Sequence, residues 1–62
     1  MIKENRIKKG YTQAQLSERI NLSERQVQRI EENEEKTKIS TLKKLITILE
    51  IPDNEILDFM KK

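Results

Sequence analysis

A chain of 62 residues, 39% charged and 34% hydrophobic with a net charge of +2, has room for one domain with a small core. It contains no Cys and no His, which removes disulfides, thiolate or imidazole metal sites and the usual general base. No apolar stretch approaches the ~18 residues of a membrane span, and β-formers are too sparse for a sheet protein.

In chain order, residues 1–11 hold Lys3, Arg6, Lys8 and Lys9 against Glu4 alone, so the excess positive charge lies at the N-terminal end. Met1-Ile2-Lys3-Glu4 leads into no apolar run, so no signal peptide is expected and the location should be cytoplasmic. A first helix is predicted over Ile2 to Lys9, ended by Gly10. Thr12-Gln13-Ala14-Gln15 is a capping box that opens a second helix running to about Ile20. Asn21 suits a left-handed turn. Ser23-Glu24-Arg25-Gln26 is a second capping box, opening a third helix that runs to about Glu32, with Asn33 as a left-handed stop. A fourth helix is predicted from Ser40 to Glu50, with Leu42, Leu45, Ile46 and Leu49 on one face. Pro52, at a first helical position, and Asp53 open a last helix that ends near Met60. There is no repeat, low-complexity segment or linker, so residues 1–62 are expected to form one domain.

Two capped helices joined by a three-residue turn have the geometry of a helix-turn-helix. Leu16, Ile20, Leu22, Val27 and Ile30 close over one small core only if those helices cross steeply. Ser17 is small enough to let them approach. Ile48 lies off the main apolar face of the fourth helix. With Phe59 and Met60 it makes a candidate dimer interface, whereas Ile56 reads as core. Glu31 to Glu35 place four carboxylates around Asn33 without the Asp/Asn-Gly order of a calcium loop. No metal or cofactor is therefore expected. With no His, Cys or Gly-rich loop, and no room expected for a pocket of ~300 Å³, neither is an enzyme.

The run Thr12-Gln13-Ala14-Gln15-Leu16-Ser17-Glu18-Arg19-Ile20-Asn21-Leu22-Ser23, followed by Val27 and Arg29-Ile30-Glu31, resembles the Cro/C1-type (Xre-type) helix-turn-helix regulators. Residues 40–51 and 51–57 are similar to that family's fourth and fifth helices. The resemblance implies an all-α, lambda repressor-like bundle of five short helices. It also implies a transcriptional regulator, a repressor by expectation, binding a pseudo-palindromic operator in double-stranded DNA as a homodimer. Helix 23–32 would enter the major groove with Ser23, Glu24, Arg25, Gln28 and Arg29 toward the bases. Arg suits guanine, Gln adenine, and Glu the cytosine amine. Thr12, Gln13, Lys36 and Lys38 would meet phosphates, and Arg6 and Glu31 would form a structural ion pair.

Four departures from the family pattern carry expectations of their own. Asn21 replaces a turn Gly, and Glu32-Asn33 replaces Asn-Gly. Asn5 replaces an apolar residue, which predicts a thinner core. Glu34 and Glu35 bring carboxylates to a loop expected near phosphates, which predicts repulsion of DNA. Two alternatives stay open. One is an N-terminal module of a longer peptide-sensing regulator, with Lys61-Lys62 either a true end or a cut, and with a peptide or protein partner. The other is a protein-interaction or antitoxin module favoured by the acidic segment 31–35.

Overall fold

The computed structural model describes residues 1–61. Three of its helix ends turn through the same left-handed corner, and these corners set the path of the chain. Helix α1 (Ile2–Lys8) ends at Gly10, φ 77°, where the Gly10 N–H donates to the Ile7 carbonyl at 2.9 Å and the Tyr11 N–H to the Arg6 carbonyl at 3.1 Å. Helix α2 (Gln13–Arg19) ends at Asn21, φ 58°, with the Leu22 N–H on the Ser17 carbonyl at 2.9 Å. Helix α4 (Ile39–Leu49) ends at Glu50, φ 51°, with the Ile51 N–H on the Ile46 carbonyl at 3.1 Å. Each corner satisfies carbonyls that the helix leaves open and drops an apolar residue back onto the last turn.

The starts of α2 and α3 (Glu24–Glu32) follow from their capping boxes. Thr12 Oγ1 accepts from the Gln15 N–H at 3.0 Å and Gln15 Oε1 from the Thr12 N–H at 2.9 Å. Ser23 and Gln26 repeat the exchange at 3.1 and 2.9 Å. The last helix, α5 (Asp53–Met60), corrects one expectation: Pro52 is the cap and not the first helical residue. Its ψ of 147° is extended, and its carbonyl is already the first acceptor, taking the Ile56 N–H at 3.2 Å. Asn33 corrects another. Its φ is −146°, because the chain does not reverse there but continues into a single 3₁₀ turn, Glu34–Lys36. The other ends differ from expectation by one residue, within ordinary fraying.

Ile2, Leu16, Ile20, Val27, Leu45, Leu49 and Ile51 are buried together, with Leu22, Ile30, Leu42, Ile46, Ile48 and Ile56 packed around them. α2 and α3 pack most extensively on each other. Ser17, on α2, is buried, and its hydroxyl donates to the Ala14 carbonyl at 2.6 Å, which leaves no open donor there. The result is an all-α bundle of five helices with no strand among the described residues. Among the described residues no helix is long and apolar enough to cross a membrane.

Helix α1 is tied to the rest of the bundle by polar side chains. Asn5, expected to thin the core, is 4% exposed, and its amide donates to the Met1 carbonyl at 2.7 Å and to Glu55 on α5 at 2.9 Å. The amide thus exchanges apolar contact for a cross-link, which keeps the burial favourable. Lys9 pairs with Glu50 at the α4 corner. Glu34 Oε2 accepts the Ile2 N–H at 2.9 Å, and its Oε1 lies 3.1 Å from the Met1 ammonium. Burial lowers the pKa of that ammonium, but hydrogen bonds and charge from Glu4 and Glu34 outweigh it and raise the pKa above its ordinary value. The same hydrogen bond holds the exposed Glu4 carboxyl below its own.

Candidate nucleic-acid interface

Helix α3 is divided lengthwise by burial. Val27 is buried and Ile30 half-buried on one side, while Glu24, Arg25, Gln28 and Arg29 are exposed on the other. Glu24 and Gln28 are one turn apart, as are Arg25 and Arg29, so the four form two adjacent rows. Among the described residues none of the four enters an ion pair, so their charged and amide ends are available to a partner. Glu24 to Arg29 span about 7.5 Å of helix axis, the length of two or three base steps. Ser23 stands at the start of this face, its oxygen engaged in the cap.

The structure brings Arg6 and Glu31 together. Arg6 Nε is 2.7 Å from Glu31 Oε2, a terminal guanidinium nitrogen reaches Oε1 at 3.4 Å, and the other donates to the Tyr11 carbonyl at 2.7 Å. The side chains are 11% and 5% exposed. Gln13 joins this cluster: its amide donates to Glu31 Oε1 at 3.1 Å. An amide nitrogen carries two N–H donors, and one of those of Gln13 is spent on Glu31. Thr12 is exposed and spends its hydroxyl oxygen on the cap.

Lys36 and Lys38 are both exposed, one ending the 3₁₀ turn and the other capping α4. Of the two carboxylates expected to sit beside them and repel DNA, only Glu35 points outward. Glu34 is turned inward onto the start of α1, with a side chain 16% exposed. The expectation of repulsion therefore falls on one residue rather than two.

Elsewhere, Ile48 and Phe59 are half-buried, and Ile48 packs on the core, whereas Met60 is 70% exposed. Leu57, which sequence reasoning did not select, is 58% exposed on the same helix as Met60. The Arg19 guanidinium lies 4.7 Å over the Tyr11 ring, another pairing that spacing alone did not reveal. The expectation that no cavity reaches ~300 Å³ fails. An open groove of about 510 Å³ lies between the end of α3 and α5, lined by Glu31, Glu32, Glu34, Glu35, Glu55, Asp58 and Phe59, with Met1 and Asn33. Among the described residues its lining is mostly carboxylates, of which Glu34 is paired with the Met1 ammonium.

A helix-turn-helix family model matches residues 2–56. No curated protein and no solved structure matches the chain. The match runs from the first residue of α1 into α5, so every element described above except the last turn of α5 lies within it. The family is one of DNA-binding domains and not of enzymes. With its two capped helices, their left-handed turn and the exposed rows of α3, the chain is a member of the Cro/C1-type helix-turn-helix family of DNA-binding domains.

Proposed function

We propose that this protein is a sequence-specific transcriptional regulator that acts by occupying a pseudo-palindromic operator as a homodimer, most simply as a repressor. The carrying observation is the exposed and unpaired face of α3, on which Arg25, Gln28, Arg29 and Glu24 offer hydrogen-bonding patterns that match base edges. Ser23 stands at its leading end. Thr12 and Gln13, at the start of α2, and Lys36 and Lys38, in the segment after α3, are assigned to phosphates.

Size supports two copies. The longest extent of the chain is 29 Å, close to the ~34–36 Å between half-sites one helical turn apart. Two copies on successive turns of one DNA face are therefore near neighbours, and Ile48, Phe59 and Met60 are the surface assigned to their contact. A cytoplasmic location follows from this role.

Selection of bound sequences from a random DNA pool tests the reading. The expected outcome is a two-fold related motif with half-sites about one turn apart, bound with a log–log salt slope of about −0.9 per neutralised phosphate. Arg25→Ala is expected to relax preference at one position by ~1–3 kcal/mol, whereas Lys38→Ala weakens all sequences alike. No enrichment, together with an affinity insensitive to salt, would reject DNA as the partner and leave protein contact as the use of the fold.

A further inference from the structure

Two carboxylates three residues apart straddle the end of α3, and both are held by α1. Glu31, in the last turn of α3, is gripped by Arg6 at 2.7 Å. Glu34, the first residue of the 3₁₀ turn, receives the Ile2 N–H at 2.9 Å. Between them stands Asn33, where the helix ends. The turn that follows is held internally by only two backbone bonds, Lys36 N–H to the Asn33 carbonyl at 3.2 Å and Thr37 N–H to the Glu34 carbonyl at 3.1 Å. None of its residues is fully buried. Its attachment to α1 runs through the Glu34 side chain, whose second oxygen also lies 3.1 Å from the Met1 ammonium, so the orientation of the turn is tied to where that side chain is held.

We infer that Glu34 is a positioning residue: by accepting from the start of α1 it fixes the turn that carries Lys36 and leads to Lys38, and with it the end of α3, in the orientation that meets DNA. The inference rests on the DNA-binding reading above. It reverses the sign that charge alone gives. A carboxylate two residues from Lys36 opposes DNA, and removing it should tighten binding. Removing Glu34 instead releases the turn and weakens binding, whereas removing its exposed neighbour Glu35 shows the bare electrostatic effect.

The test measures DNA affinity at low salt for three variants whose helical circular dichroism matches wild type. Glu35→Ala is expected to tighten binding about two- to fivefold, the range for one exposed charge. Glu34→Ala is expected to weaken it about threefold or more. Glu34→Gln keeps an oxygen that accepts the Ile2 N–H while giving up the ion pair with the Met1 ammonium, and is expected to bind more tightly than Glu34→Ala. Equal tightening by Glu34→Ala and Glu35→Ala, or equal weakening by Glu34→Ala and Glu34→Gln, overturns the inference. If Glu34→Ala does not fold, Glu34→Asp replaces it, keeping the charge but shortening the reach; wild-type affinity in that variant overturns the inference. Amide hydrogen exchange of Lys36 and Thr37 is the readout independent of DNA. Faster exchange in the Glu34 variant but not in Glu35→Ala sustains the brace even if no DNA is bound, and unchanged exchange refutes it.

Discussion

The Arg6 guanidinium is nearly out of water and satisfies its donors with the Glu31 carboxylate and the Tyr11 carbonyl. Such a pair is costly to bury and more costly to break, because the partner left behind is a charge without its counterion. Arg6→Ala is therefore expected to lower stability by about 3 kcal/mol, against near zero for Lys3→Ala, which removes the same charge from the exposed side of α1. In a urea series the double variant Arg6→Ala/Glu31→Ala should lose less than the sum of the single losses. Strict additivity would reduce the two residues to independent charges. Gln13 limits the damage in Arg6→Ala, since its amide remains on Glu31. At this scale the sequence spoke unevenly. The ion pair was reachable through family resemblance, but Asn5 on Glu55 and Glu34 on the Ile2 N–H were not. Both join residues far apart in sequence, and no local spacing encodes which face of α1 meets which carboxylate.

Helices this short are decided at their ends, and the ends are where sequence was most informative. Thr12 with Gln15 and Ser23 with Gln26 are local exchanges within four residues, so the starts of α2 and α3 could be read directly. Gly10 and Asn21 announced two corners for the same reason. Glu50 did not, because nothing in a Glu favours φ 51°; the corner is imposed by Ile51 packing into the core. Asn33 misled in the opposite sense, a residue fit for a left-handed stop in a segment that instead tightens into a 3₁₀ turn. A left-handed L-residue costs about 1–2 kcal/mol. Glu50→Gly is thus expected to raise stability by roughly 0.5–1 kcal/mol after the added freedom of the unfolded chain is deducted. This gain should survive loss of the Lys9 contact, whose Glu50 side is 72% exposed. The reverse change, Gly10→Ala, places its methyl in open space and should lose about 1 kcal/mol from backbone strain alone. A lower urea midpoint for Glu50→Gly would show that the Lys9 pair outweighs the strain.

For the molecule as a whole, α1 acts as the clasp of the bundle. Its polar ties, with that of its cap residue Lys9, reach 25, 32, 41 and 50 positions along the chain, to Glu31, Glu34, Glu50 and Glu55. α2 and α3, by contrast, are sequence neighbours and pack most extensively on each other. Helices of seven to eleven residues do not persist alone, so one pair must form while the others are still open. Closing a long loop costs entropy before its contacts repay it, which puts the α2–α3 pair first in time and α1 last. Kinetics would record that order. Val27→Ala is expected chiefly to slow folding, its contacts belonging to the nucleus. Ile2→Val, equally buried, is expected chiefly to hasten unfolding. The same asymmetry makes detachment of α1 the first step of opening, so the helix-turn-helix outlives its own clasp for a moment each time the molecule unfolds.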